Sequence, residues 1–473
     1  MSMFRNLMSI PTESGPDTFI CKIKNTENSA VTPYIAFPVR STYAAIPSIT
    51  ATIETSGGQS QTLTITGTDL TTRNESEWGN LGRLERFSTV SMAQDETATV
   101  TLYSKSKQFP SFSFCSKTKG YDSNNTNAKL YEVNTPLPVF VDGFCGSVFV
   151  GSLLTSLPNN LFQYGGRIEE LDRTFAHSSL VSVPEGLFNG MSKVTKTTNL
   201  FSYNNNLTTL PANLFSGMPE VTDLSYCFSH CSALTSVPEG LFDGVTKVTN
   251  LSYMFDYCSS LVSIPEGLFN GMSKVLNLAG MFDSCTNLKS VPEGLFSGMT
   301  KAADLSSMFD GCRKLASVPA GLFSGMTEVT YLSSMFSDCT SLTSIPAGLF
   351  SEMTKVTSVR YCFRGCTSLT SIPVSLFREQ VNATNFYYCF SSVPASAIHP
   401  NIFCDEATEK TTRFANVTPN FSSCFINLAG EVAGTAPALW EYTYKDTPTK
   451  EGCFSNNSTT TLSNYEDIPT EWK

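Results

Sequence analysis

Eight prolines, Pro184, Pro211, Pro238, Pro265, Pro292, Pro319, Pro346 and Pro373, each stand 27 residues after the one before. Most sit in one phrase, such as Leu342-Thr-Ser-Ile-Pro-Ala-Gly-Leu-Phe350. A fixed period of this length means one supersecondary unit stacked on copies of itself. A chain of 473 residues would otherwise suggest about three domains. The repeat removes that inference, because a stack grows by adding coils without splitting.

One well-kept coil contains Leu315-Ala-Ser-Val-Pro319, Gly321-Leu-Phe-Ser-Gly-Met326, Val329-Thr-Tyr-Leu332 and Met335-Phe-Ser-Asp-Cys339. Shifted by 13, the sequence matches itself again. Leu322-Phe323 falls on Met335-Phe336, Met326 on Cys339, and Val329-Thr330 on Leu342-Thr343. Each coil is therefore two half-coils of 13 and 14 residues. The apolar–Thr–x–apolar step predicts a strand of three to four residues, which Pro terminates in one half because it lacks an N–H. Leu-Phe-x-Gly-Met and Met-Phe-x-x-Cys place apolar residues at i, i+1 and i+4, which predicts one helical or 3-10 turn. A single coil offers about nine apolar side chains, too few to offset the ordering of its backbone, so coils must stack and the ends must be capped.

The period sets the organisation. Residues 1–119 lack the repeat. Ile49–Ile53, Thr62–Ile65 and Ala98–Leu102 alternate apolar residues with Thr, and Gly57-Gly58 signals a hairpin, so a small antiparallel β-sandwich-like attachment domain is expected there. Residues 120–157 read as a linker (Gly120–Asn127) and an N-terminal cap with a lead-in strand at Leu130–Pro138. Residues 158–400 form the repeat array. In 401–473 the period decays: Tyr388-Cys-Phe390, Ser423-Cys-Phe425 and Gly452-Cys-Phe454 echo one another at spacings of 35 and 29, as divergent coils and a C-terminal cap would.

The cysteines follow the same register. Cys231, Cys258, Cys285, Cys312, Cys339 and Cys366 form a ladder, with Asn204 and Ser178 in the preceding rungs. Cys227, Cys362 and Cys389 stand where sister coils carry Met254, Met281, Met308 and Met335. Slots that accept Cys or Met, or Cys, Asn or Ser, point to structural free thiols. The Cys-x3-Cys pairs at 227/231 and 362/366 arise from coinciding slots and have no His at zinc-ligand spacing. No metal or cofactor is expected.

The remaining residues offer little chemistry. His177, His230 and His399 share no motif; His177 and His230 read as exposed turn positions. No nucleophile elbow, zincin or phosphate-loop pattern occurs. A glycan hydrolase would need two carboxylates facing across a cleft. The Glu185, Glu239, Glu266 and Glu293 ladder offers a regular row instead, and with Lys193, Lys247, Lys274, Lys301 and Lys355 it reads as a solvated rim. A net charge of −10 argues against nucleic acid, and no apolar run is long enough for membrane insertion. Tyr226, Tyr253, Tyr361 and Tyr388 share a slot where sister coils have Gly280, Ser307 and Ser334. An aromatic that alternates with small residues suggests exposure, so this column is the candidate contact surface for a glycan or a protein.

The phrases Leu-Thr-Ser-Ile-Pro and Val-Thr-x-Leu-Ser-x-Met-Phe-x-x-Cys-x-Ser-Leu resemble the BspA-like leucine-rich repeats of bacterial surface proteins. The resemblance covers 136–400 strongly and the tail weakly. It implies a leucine-rich-repeat-like, β-rich solenoid used in adhesion, with no enzymatic residues to carry over. Similar repeats occur in proteins that look like fibres of phages infecting gut bacteria. The N-terminus, Met1–Pro11, shows no secretory signal pattern. The expectation is a virion-attached fibre or receptor-binding component that contacts a bacterial surface or other virion proteins, as an oligomer or alone; the alternative is a bacterial cell-surface adhesin.

Overall fold

The computed structural model describes residues 18–25, 34–40, 49–65, 70–71, 81–87, 92, 94–104, 129–138, 140, 145–404, 407–430 and 432–473. The Gly120–Asn127 linker and the first eleven residues lie outside them. The chain forms two compact units, Met1–Lys196 and Thr197–Lys473. Among the described residues the regular elements are mostly β, and the helices are short 3-10 turns.

In the first unit the β-strands are β1 (Thr18–Lys24), β2 (Tyr34–Arg40), β3 (Ile49–Thr55), β4 (Ser60–Ile65), β5 (Leu70–Thr71), β6 (Leu81–Phe87), β7 (Thr97–Tyr103) and β8 (Lys129–Val133). They make a five-stranded sheet in the order β4-β3-β7-β1-β8 and a three-stranded sheet in the order β2-β6-β5, all antiparallel. The Thr-alternating segments read from the sequence fall in β3, β4 and β7. Period-two alternation buries one face: Phe19, Cys21 and Ile23 of β1, Ile49, Ala51 and Ile53 of β3, and Ala98, Val100 and Leu102 of β7. The β3–β4 hairpin turns at Gly58, whose φ of 84° lies in the left-handed region that glycine adopts without strain. The lead-in segment at Leu130 is β8, the edge strand of this sheet. Its Leu130 carbonyl accepts a 2.6 Å bond from the Leu153 N–H, which joins the sheet edge to the first coil.

The second unit is a stack of coils. Parallel bridges run Asp223–Asn250–Asn277–Asp304–Tyr331–Ser358–Asn385, each step 27 residues, then on to Asn420 and Thr449 at steps of 35 and 29. The tail thus keeps the bridge while its loops lengthen. The bridges are single-residue contacts, shorter than the three- to four-residue strands the sequence suggests. The reason lies in the flanking backbone. In the half-coil of Leu251–Cys258, alternate N–H groups bond to the next coil: Leu251 to Asn277, Tyr253 to Ala279, Phe255 to Met281 and Tyr257 to Asp283. The N–H groups between them turn back three residues, Met254 to Leu251, Asp256 to Tyr253 and Cys258 to Phe255. Alternation requires left-handed φ at Tyr253 (55°) and Tyr257 (54°), and that interrupts both a strand and a 3-10 turn. The other half-coil closes mainly on itself, as in Asn270 to Gly267 and Met272 to Phe269. The two halves match in sequence and differ in hydrogen bonding.

Side chains at the bridge complete the corner. Asn250 Oδ1 accepts from the Ser252 N–H at 3.1 Å, and Asp223, Asn277 and Asp304 do the same two residues on, each in an Asx turn. The core is two columns of phenylalanine. One, from Phe201 through Phe228, Phe255, Phe282, Phe309, Phe336, Phe363 and Phe390 to Phe425 and Phe454, has ring centroids 5.1–5.8 Å apart. The other runs Phe215, Phe242, Phe269, Phe296, Phe323 at 5.4–6.1 Å. Offset stacking of this kind adds roughly 0.5–1.5 kcal/mol per pair beyond burial.

All fourteen described cysteines are buried thiols outside any disulfide. Each ladder thiol donates to a phenylalanine carbonyl of the preceding coil: Cys231 to Phe201, Cys258 to Phe228, Cys285 to Phe255, Cys312 to Phe282, Cys339 to Phe309 and Cys366 to Phe336, at 3.0–3.3 Å. Asn204 Nδ2 donates to Phe201 O, and in the first unit Ser178 Oγ donates to Phe149 O. Cys, Asn and Ser share the slot because each is a small donor aimed at a buried carbonyl.

Candidate functional site

The four sequence-selected tyrosines occupy one turn position, with φ of 55–58°. Gly280, Ser307 and Ser334 hold the same left-handed geometry in sister coils, at 61°, 55° and 57°. A side chain there points off the turn, and a bulky residue pays for the φ without gaining core. Tyr226 is 37% exposed, and the other three are partly exposed.

The structure joins these tyrosines in pairs. Tyr226 and Tyr253 stack at 4.8 Å with planes 6° apart. Tyr253 continues over Gly280, where a Cβ would overlap ring atoms Cε1 and Cδ1. Tyr361 and Tyr388 lie 5.4 Å apart, tilted by 35°. Between the pairs stand Gly280, Ser307 and Ser334, so the column is two aromatic islands about 19 Å apart at the usual strand spacing.

A second column, four residues on, escaped the sequence reading. Tyr203, His230 and Tyr257 stack at 4.2 and 4.4 Å with planes 6–8° apart. His230 is therefore a half-buried ring held between two tyrosines, not an open turn position. Tyr203 and Tyr257 are 39% and 49% exposed. The signal is in the sequence: 203, 230 and 257 share the 27-residue phase, with His breaking the run of tyrosine.

Between the columns runs a carboxylate row, Asp256, Asp283 and Asp310. Asp256 is 7% exposed; its Oδ2 accepts from Ser229 Oγ at 3.2 Å and lies 4.0 Å from His230 Nε2, while Oδ1 has no hydrogen-bond partner. Burial, then repulsion from Asp283, pushes the Asp256 carboxyl up to about 7. Asp310 rises to about 7 for the same two reasons. Burial lowers the His230 pKa. Burial also raises Tyr226 and Tyr253. No group of His, Cys, Asp or Glu among the described residues is arranged to hold a metal ion.

Two lysines of the charge ladder form surface pairs. Glu220 and Glu328 stand in the lysine column itself and bond Lys247 and Lys355 of the next coil, at 2.6 Å. Both pairs are roughly half exposed, so each contributes ~0–1 kcal/mol.

What the fold and this surface define is a stacked-repeat protein carrying aromatic columns on its turns. Residues 170–295, 270–375 and 297–399 match the family described as "Mycoplasma protein of unknown function, DUF285". No curated protein matches the chain. Among solved structures, the chain is similar to one in the Drosophila Toll–Spatzle complex, with 18% identity, coverage of 53% of this chain and 36% of that one, and a TM-score of 0.35. It is also similar to a leucine rich cell surface protein of Faecalibacterium prausnitzii A2-165, with 16% identity, coverage of 54% and 86%, and a TM-score of 0.15. The chain spans about a third of the Toll–Spatzle chain it matches. Among the described residues no helix is long and apolar enough to cross a membrane.

Proposed function

We propose that the protein is a non-catalytic binding protein, a leucine-rich-repeat-like solenoid of the BspA type that adheres through the ring columns on its turns. The observation that carries this reading is the placing of tyrosine at left-handed turns. Serine and glycine fill the same turns in sister coils, so the coil closes without a ring. An L-residue bears roughly 1–2 kcal/mol there, and stacking offsets it by roughly 0.5–1.5 kcal/mol per pair. Folding alone thus gives little reason for the rings, while their exposed parts, beside a row of carboxylates, give a ligand an aromatic surface to contact. Glycan or protein contact both suit such a surface.

The virion fibre and the bacterial surface adhesin share this chemistry and differ in where the protein sits. Immunogold labelling of intact cells and of purified phage particles separates them: label on a tail tip supports the fibre, and label on the cell envelope supports the adhesin. The binding reading is tested with a glycan array and whole-cell adsorption, comparing the protein with Tyr226→Ser/Tyr253→Ser and Tyr203→Ser/Tyr257→Ser. Loss of adsorption in either double variant, with melting unchanged, is the expected result; full adsorption by both would sink the columns as a binding surface.

A further inference from the structure

The repeat array supplies its own control for what each surface slot needs, and one coil departs from it in two slots at once. At position 360 the sister coils carry Ser225, Ser252, Ala279, Ser306 and Ser333; here the residue is Arg. At 364 they carry Ser229, Asp256, Asp283, Asp310 and Ser337; here again it is Arg. Between them stands Tyr361, and the next coil adds Tyr387 and Tyr388. An acidic row thus changes sign at one point of a chain with net charge −10.

These residues form one patch. The Arg360 guanidinium carbon lies 4.6 Å from the Tyr361 ring centroid and 5.6 Å from that of Tyr387. Arg364 lies 5.9 Å from the Tyr361 ring and reaches Asp338 at 3.4 Å. Tyr387 meets Tyr388 edge-on at 4.5 Å, and Tyr361 meets Tyr387 edge-on at 5.5 Å. Both arginines are exposed, and no carboxylate lies at ion-pair distance from Arg360 among the described residues. A guanidinium stacked on an aromatic face is held by its plane and keeps its N–H edges for a planar acceptor. Tyrosine rings beside it offer faces for the C–H side of a sugar.

We propose that Arg360, Arg364, Tyr361, Tyr387 and Tyr388 form a site for an acidic polysaccharide, with a uronate-type carboxylate on the Arg360 fork and adjoining sugar rings on the tyrosines. This rests on the reading of the turns as a binding surface and names the ligand class for one island of it. The carboxylate geometry matches a bidentate arginine contact. The cluster of tyrosine rings beside the guanidinium favours a sugar over a flexible acidic peptide.

The sister coils dictate safe variants, since the coil closes with Ser at 360, Ser or Asp at 364 and Ser at 361. Binding of the full chain to polygalacturonate oligomers, to maltooligosaccharides of equal length and to polyglutamate is measured by calorimetry at low salt. The expected result is binding to polygalacturonate alone, weakened roughly ten- to a hundredfold by Arg360→Ser/Arg364→Asp and comparably by Tyr361→Ser/Tyr388→Ser, as loss of a charge-assisted bond implies. Equal binding to polyglutamate would reduce the patch to bare charge and overturn the proposal. Polygalacturonate binding untouched by the arginine variant, or no binding to it, would also overturn it. Cell adsorption that survives in the arginine variant but fails in Tyr226→Ser/Tyr253→Ser leaves the broader binding reading standing.

Discussion

The ring of Tyr253 lies over the Cα of Gly280 in the next coil, in the space that a Cβ at position 280 would fill. Gly280 has φ of 61°, and its slot elsewhere accepts Ser and Tyr. The turn therefore tolerates a side chain; it is Tyr253 that does not. Gly280→Ala is expected to lower stability by about 1–2 kcal/mol, from the left-handed φ and the displaced ring. In Tyr253→Ser the same substitution should cost clearly less. A urea double-mutant cycle measures the difference, and full additivity would refute the steric coupling.

Cys258 Sγ donates to Phe228 O across the coil boundary. Cys258→Val should cost about 0.5–1.5 kcal/mol by removing this bond from Phe228 O, which keeps the Cys231 N–H. Cys258→Ser should cost less, since Ser178 fills the equivalent rung with the same bond. Burial raises every ladder thiol, Cys231 to about 12. The native protein should therefore resist an aromatic disulfide reagent at pH 8 and react fully only in denaturant. Rapid labelling of ladder cysteines in the native state would contradict this.

The Asp row gives a pH signature. Asp256 and Asp310 have folded values raised above those of an unfolded chain, so the native state binds more protons between about pH 4 and pH 7. Stability from these groups is present at the acid end and is lost as pH rises through 7. Asp256→Asn, facing Ser229, His230, Tyr226, Tyr253 and Asp283, should raise the melting temperature at pH 8 by a few degrees and flatten its pH dependence. His230 acts oppositely: its lowered folded value costs stability as pH falls below about 6.5. His230→Tyr, the residue of the flanking coils, should remove that opposing slope. An Asp256→Asn melting profile that runs parallel to the wild type from pH 5 to 8 would exclude the effect.

Arg413 is buried, and burial lowers its pKa to about 10. Nε and Nη2 donate to Phe377 O, and Nη2 also to Gln380 O, while the guanidinium carbon lies 4.3 Å from the Phe414 centroid. Arg413→Ala should cost about 1–3 kcal/mol for the lost bonds to buried carbonyls. Arg413→Lys should not restore it, because an ammonium has neither the second nitrogen that reaches Phe377 O nor the plane that lies over the Phe414 ring. Equal stability of wild type and Lys variant in urea would refute the fork.

Much of the coil was legible because a period of 27 fixes which positions are equivalent. Proline, phenylalanine and cysteine positions all follow from it. The strand at Thr330 shrinks to one bridge because the left-handed turns cannot be read from residue type: tyrosine at φ near 55° is the opposite of what its propensity suggests. The Tyr226 column was visible as substitution by glycine and serine. The Tyr203–His230–Tyr257 column was hidden by its central histidine. Arg360 and Arg364 stood out only once the Asp row beneath them had a place in space.

The thiol ladder has a consequence for where such a protein can work. Its cysteines hold coils together as hydrogen-bond donors, one rung to the next, with no sulfur–sulfur link to make or break among the described residues. A scaffold so built keeps the same cross-coil contacts in a reducing cell interior and in oxidising surroundings. It needs no change of covalent state to pass from one to the other.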